Sequence, residues 1–183
     1  MDRASALELL HHYTKSESLV KHMLAVEACM RAYARKFEEN EDEWGMVGLL
    51  HDFDYEMYPN PPDHPQKGAI ILKDLGYPEK MIYAIQSHAD WTGCPRLSLL
   101  DKTLFACDEL SGFITAVALV RPDKKIQGME PRSVRKKMKD KAFARSVSRE
   151  DIIKGAEEIG IDLDEHISFC IRAMEAWAGE LGL

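Results

Sequence analysis

Four histidines and two aspartates in this sequence have the types and placement to share one task. His51 and Asp52 stand side by side at the end of the apolar run Gly45-Met46-Val47-Gly48-Leu49-Leu50. Neighbours on a helix point about 100° apart, so both side chains reach one centre only where the helix is ending. A neutral imidazole beside a carboxylate at the mouth of a core suits a borderline metal ion. His22 falls on an apolar helical stripe, where a hydrogen-bonded core histidine is the competing reading. His64 stands at a predicted helix start and His88 at a predicted helix end, where an imidazole also complements the helix dipole. Asp108 says most by itself: a carboxylate among Leu104, Phe105, Ala106 and Cys107 is costly to bury unless it is paired, hydrogen-bonded or bound to metal.

The elements that must position these residues read as helices throughout. Apolar residues recur at three and four, and period-two alternation is nearly absent. A first helix is expected over 4–13. A second, capped by Ser16 or Ser18, should run to about 37 with the stripe Leu19, Met23, Val26, Met30, Tyr33 and Phe37. Asp42 is the expected cap of a third helix ending at His51-Asp52. Asp63-His64-Pro65 should open a fourth, with Pro65 at its first position, and Gly76 and Pro78 should stop it. A fifth helix is expected over 78–89 and a long one over 99–120, with Ser98 and Asp101 forming a capping box. Further helices should start at Ser133, Ser148 and about Asp164. The expected fold class is all-α: one domain over 1–183, with a core at about 18–120 and a C-terminal helical extension at about 128–183.

The chain of 183 residues, 45% hydrophobic and 30% charged, is large enough to bury a core. A net charge of −7 argues against binding a nucleic-acid duplex, which needs a basic footprint. No apolar run approaches the roughly 18–20 residues that span a bilayer, so no membrane association is expected. Cys29, Cys94, Cys107 and Cys170 form no Cys-x-x-Cys pair and read as reduced thiols of a cytoplasmic protein. Helical stripes do not report oligomeric state, and a homodimer is compatible with them.

The order His…His-Asp…His…His…Asp resembles that of the HD superfamily of metal-dependent phosphohydrolases. The likeness extends to Gly48-Leu49-Leu50-His51-Asp52, to His64-Pro65-Gln66-Lys67-Gly68-Ala69, and to Ser98-Leu99-Leu100-Asp101-Lys102 leading to Ala106-Cys107-Asp108. It covers about residues 18–115 and is closest to the six-ligand branch, which includes HD-type diadenosine tetraphosphate hydrolases. The resemblance implies an HD-domain helical bundle in which His22, His51, Asp52 and Asp108 hold one metal. It further implies that Asp52 bridges to a second metal held by His64 and His88. The expected cofactor is therefore two divalent transition-metal ions per chain, drawn from Fe, Mn, Co, Ni or Zn, because the ligands are imidazole and carboxylate without thiolate.

Two metals about 3.5–4 Å apart can lower the pKa of a shared water, whose hydroxide attacks phosphorus. The substrate class expected is a nucleotide or another small phosphate ester. Cations near the site should bind further phosphate oxygens. Lys67 is the first candidate, for catalysis as well as binding, and Arg96 is the second. Asp54 could position water or be an ordinary loop acid. Arg132, Arg135, Lys136 and Lys139 form a basic segment that is either a solvated face or a group leaning over the site. His11, His12 and His166 fall outside the pattern and read as surface or structural residues. Two other readings use the same six ligands: a mixed-valent di-iron oxygenase, and a metal-binding regulatory module without catalysis.

Overall fold

The computed structural model describes residues 2–183, and among them every regular element is helical. The helices are α1 (Arg3–Tyr13), α2 (Glu17–Phe37), α3 (Glu41–Leu50), α4 (Asp63–Asp74), α5 (Glu79–Ser87), α6 (Leu99–Leu119), α7 (Pro131–Met138), α8 (Arg149–Glu158), α9 (Leu163–Glu175) and the short α10 (Ala178–Leu181). The expected all-α class is what the chain forms, and the helix starts show why. Ser16 accepts from the Leu19 N–H at the head of α2. Ser98 and Asp101 exchange side-chain-to-backbone bonds at the head of α6, which satisfies donors that a helix N-terminus leaves open.

Two local expectations need correcting. Asn40, not Asp42, caps α3, accepting from the Glu43 N–H at 3.0 Å. Asp42 instead lies in the acidic first turn, where the dipole favours it, and accepts from Arg31. Pro65 is not the first residue of a regular turn. His64 is extended (φ −81°, ψ 137°) inside the span of α4, because the residue before a proline is pushed out of the helical region.

Helix α2 runs through the middle of the fold, packed on α3, α6 and α9. Its Val26, Met30 and Tyr33 are fully buried together with Leu49, Leu50, Leu104 and Phe113. Gly48 lets α3 lie close on α2: a Cβ there would meet the Glu27 backbone at 3.0 Å. That close approach brings the end of α3, and with it His51, to the level of His22. Glu27 itself is fully buried and is satisfied by Arg3 at 2.7 Å and Arg31 at 2.8 Å. The C-terminal helices complete the bundle. Helix α8 packs on α6 so tightly that a Cβ at Gly155 would sit 2.6 Å from Ala106 Cα. No helix among the described residues is long and apolar enough to cross a membrane.

Candidate metal centre

All six residues picked out as ligands come together, from five separate stretches of chain. His22 comes from α2, His51 and Asp52 from the end of α3, His64 from the head of α4, His88 from the end of α5, and Asp108 from mid-α6. Their donor atoms fall into two trios, His22–His51–Asp108 and Asp52–His64–His88. In the first, Asp108 Oδ1 is 3.0 Å from His22 Nε2 and 3.4 Å from His51 Nε2. In the second, Asp52 Oδ1 is 3.2 Å from His64 Nε2 and 3.3 Å from His88 Nε2. The other oxygen of Asp52 is 3.6 Å from His51 Nε2, so this one carboxylate faces both trios.

The far side of three of the rings is fixed by the chain. His51 Nδ1–H donates to the Gly48 carbonyl at 2.8 Å, and His88 Nδ1–H donates to the Ile85 carbonyl. Both carbonyls belong to last helical turns, where backbone acceptors lack partners. His64 Nδ1–H donates to Asp54 at 2.8 Å, and the other oxygen of Asp54 accepts from the Gly68 N–H at 2.8 Å. All three rings therefore turn Nε2 inward. This is the way protein sites set the tautomer of a metal-binding histidine. Asp54, open between two readings in the sequence, is only 1% exposed and serves as the orienter of His64.

Among the described residues, two buried side-chain polar atoms have no hydrogen-bond partner, His51 Nε2 and Asp52 Oδ1. Orphans of this kind are costly in a finished core, and both belong to the ligand set. Burial disfavours the charge on His51, but Asp52 and Asp108 outweigh it and raise its pKa to about 9. His64 is likewise raised to about 9, burial being overcome by Asp52 and Asp54. Asp52 stays well below the usual carboxylate range: the surrounding histidines outweigh its burial. Asp108 is also lowered, by His51 and His22 against its own burial. The six residues, imidazole and carboxylate donors gathered in two trios, fit divalent cations.

A pH prediction follows for protein stripped with a chelator. His51 and His64 gain stability from their raised pKa values below about pH 6.5, and that gain is lost as pH rises through 9. Each contributes up to about 3 kcal/mol by the size of its shift. The carboxylates act in the opposite sense, and their contribution disappears only as pH falls through the acidic range. Stripped protein should therefore lose thermal stability between pH 6.5 and 9. The extra stability conferred by metal should grow over the same range, because metal binding releases the protons on these histidines. Thermal melts at both ends of the window test this, and a stripped protein that grows more stable toward pH 9 would contradict it.

The trios open into a cavity of about 510 Å³. Tyr55, Trp91 and Phe105 form aromatic walls, and Glu109, Ser146, Val147 and Asp151 close it from α6 and from the chain just before and within α8. Trp91 donates its indole N–H to the His64 carbonyl at 2.9 Å. Glu109, beside Asp108, is raised to about 7, first by burial and then by that neighbouring carboxylate. None of these wall residues was singled out from the sequence. Only the adjacency of Glu109 to Asp108 could have pointed to one of them.

Neither expected cation reaches this cavity. Lys67 is exposed on α4 and does not line it. Gly68 takes the inward position there, with its N–H on Asp54. Arg96 is held elsewhere: it bonds Glu158 at 2.8 and 3.0 Å and Asp90 at 2.6 Å, and its guanidinium lies 3.7 Å over the Phe105 ring. The basic segment also points away. Arg135 pairs with Asp164 and Arg132 with Glu130, and neither Lys136 nor Lys139 lines the cavity. His166 is structural as expected, buried between the Tyr33 hydroxyl at 2.6 Å and the Ala106 carbonyl at 2.9 Å. His11 and His12 are exposed.

Asp54 offers a direct check on the second trio. Asp54→Ala should weaken metal binding at the Asp52–His64–His88 trio by about 10–100-fold and leave binding at the other trio in place. Metal titration monitored by calorimetry measures this, and two unchanged binding steps would show that His64 holds its orientation without Asp54. Comparison with curated proteins and with solved structures returns no match. Comparison with known families matches residues 19–112 to the HD domain. That span is just over half of the chain and contains all six residues of the two trios, so this chain belongs to the HD-domain family.

Proposed function

We propose that this protein is a metal-dependent phosphohydrolase that cleaves a small phosphate ester at a two-metal centre. The observation that carries this is the pair of abutting trios with Asp52 of one facing the other, and with His51 Nε2 and Asp52 Oδ1 buried without a hydrogen-bond partner. Two divalent ions there would supply Lewis acidity toward phosphoryl oxygens and lower the pKa of water. The chain supplies the rest. His22, His51 and Asp108 would hold one ion, His64 and His88 the other, and Asp52 would reach both, one oxygen toward each. Gly48, Ile85 and Asp54 keep the imidazoles aimed inward, so little reorganisation is needed when charge develops on the phosphoryl group. The phosphate would enter through the cavity, whose aromatic walls take the organic part of the ester and exclude bulk water.

The test is reconstitution of stripped protein with Mn(II) or Fe(II). Elemental analysis should give about two equivalents per chain, and phosphate release from p-nitrophenyl phosphate should depend on the metal. One equivalent at saturation would overturn the dinuclear assignment. Oxygen uptake without phosphate release would overturn the hydrolase reading.

A further inference from the structure

We infer that the substrate is a phosphate monoester whose opposite end carries an ammonium group, recognised by Glu109, Asp151, Tyr55 and Trp91. This rests on the hydrolase reading above and goes further by naming the substrate class. It starts from the charges around the cavity. No lysine or arginine lines it, although the chain has 24 of them. Two basic side chains that bond the lining residue Asp90 are already committed. Arg96 is shared between Glu158 and Asp90, and Lys154 bonds Asp90 at 3.1 Å.

With Asp90 neutralised in this way and Asp52 and Asp108 given to the metals, two carboxylates remain. Glu109 accepts one backbone N–H, that of Ser148, at 3.1 Å. The Asp151 carboxylate has no hydrogen-bond or ion-pair partner among the described residues. Metals would satisfy one dianionic phosphate, but nothing in the wall would meet the further phosphates of a nucleoside polyphosphate. Such a ligand would bring its extra charge against Glu109 and Asp151.

A cation meets the opposite situation. Carboxylates facing a partly enclosed cavity attract an ammonium group more strongly than they would in open water. Tyr55 and Trp91 line the same cavity and are 37% and 56% exposed, so their faces are open to a ligand. Aromatic rings and carboxylates lining one cavity can together receive an ammonium ion. The metal end of the cavity is marked independently, by the orphaned Asp52 Oδ1 and His51 Nε2. The cavity therefore offers the trios for a metal-bound anion and, on the wall beside them, carboxylates and aromatic rings for a cation. A zwitterionic monoester matches both ends.

The experiment compares matched esters on Mn(II)-reconstituted full-length protein. Choline phosphate is set against its uncharged carbon isostere dimethylbutyl phosphate, ethanolamine phosphate against propyl phosphate, and both pairs against AMP. The ammonium esters should show kcat/KM about tenfold or more above their isosteres and above AMP. Glu109→Gln and Asp151→Asn should each shrink that ratio to about threefold or less, an effect that general damage to the site would not produce. Equal or better turnover of the isosteres or of AMP, or a ratio unmoved in both variants, overturns the inference and leaves the hydrolase reading intact. If no ester, p-nitrophenyl phosphate included, releases phosphate, the hydrolase reading fails. The same pairs are then compared as ligands by calorimetry. Tighter binding of the ammonium ester by about tenfold upholds this assignment of the wall, and equal binding overturns it.

Discussion

Asp52→Ala is expected to cost about a thousandfold or more in turnover while leaving the helical circular-dichroism signal intact. The carboxylate is the one group that faces both trios, with Oδ1 toward His64 and His88 and Oδ2 toward His51. Its removal takes a ligand from each ion and leaves three imidazoles facing one another without the anion between them. The fold should survive, because Asp52 caps no helix and lies after the end of α3. Metal content should fall below two per chain. Turnover within tenfold of the parent, with both metals retained, would sink the two-metal mechanism.

Arg149→Met is expected to give the second large effect, of a different kind. The Arg149 guanidinium donates to the backbone carbonyls of Val147 at 2.6 Å, Ala144 at 2.5 Å and Asp140 at 3.4 Å, and also to that of Phe143. It lies 4.6 Å over the Phe113 ring of α6. One side chain thus ties the stretch 140–147 to the core, and that stretch supplies Ser146 and Val147 to the cavity. Charge-assisted hydrogen bonds contribute about 1.5–3 kcal/mol each, and partial re-solvation of the freed carbonyls should leave a net loss of about 2–4 kcal/mol. The variant should keep both metals, show a KM raised about tenfold with kcat changed far less, and become open to proteolysis within 140–147. An unchanged KM together with an unchanged digestion pattern would show that this stretch holds its place without Arg149.

The six clustered residues were legible in the sequence because their signals are local. Imidazoles and carboxylates at helix ends, an acid in an apolar run, and caps such as Ser16 and Ser98 announce themselves over a few residues. The cavity wall was not legible, because tertiary packing decides it. Nothing local tells that Asp54 is buried against Gly68, or that Tyr55 and Trp91 line one space with Asp151. Arg96 shows the limit most clearly. Its position before the Asp108 helix suggested an anion site, but Glu158, remote in the chain, claims its guanidinium. The basic segment misled for the same reason, since pairings such as Arg135–Asp164 depend on where α9 lies.

All six residues of the trios fall within the stretch matched to the HD domain, while Ser146, Val147 and Asp151 come from chain beyond it. Part of the wall can therefore change without touching the trios, although Tyr55, Trp91 and Glu109 sit within the matched stretch. Replacing 139–147 and position 151, keeping Ser148, Arg149 and Ile152, would leave every imidazole in place while presenting a changed surface to the incoming molecule. Gly155 must stay as well, since α8 rests on Ala106 through it. Drift in that short stretch would alter the cavity wall without touching the residues of the trios, and a library built there would test the proposed substrate preference.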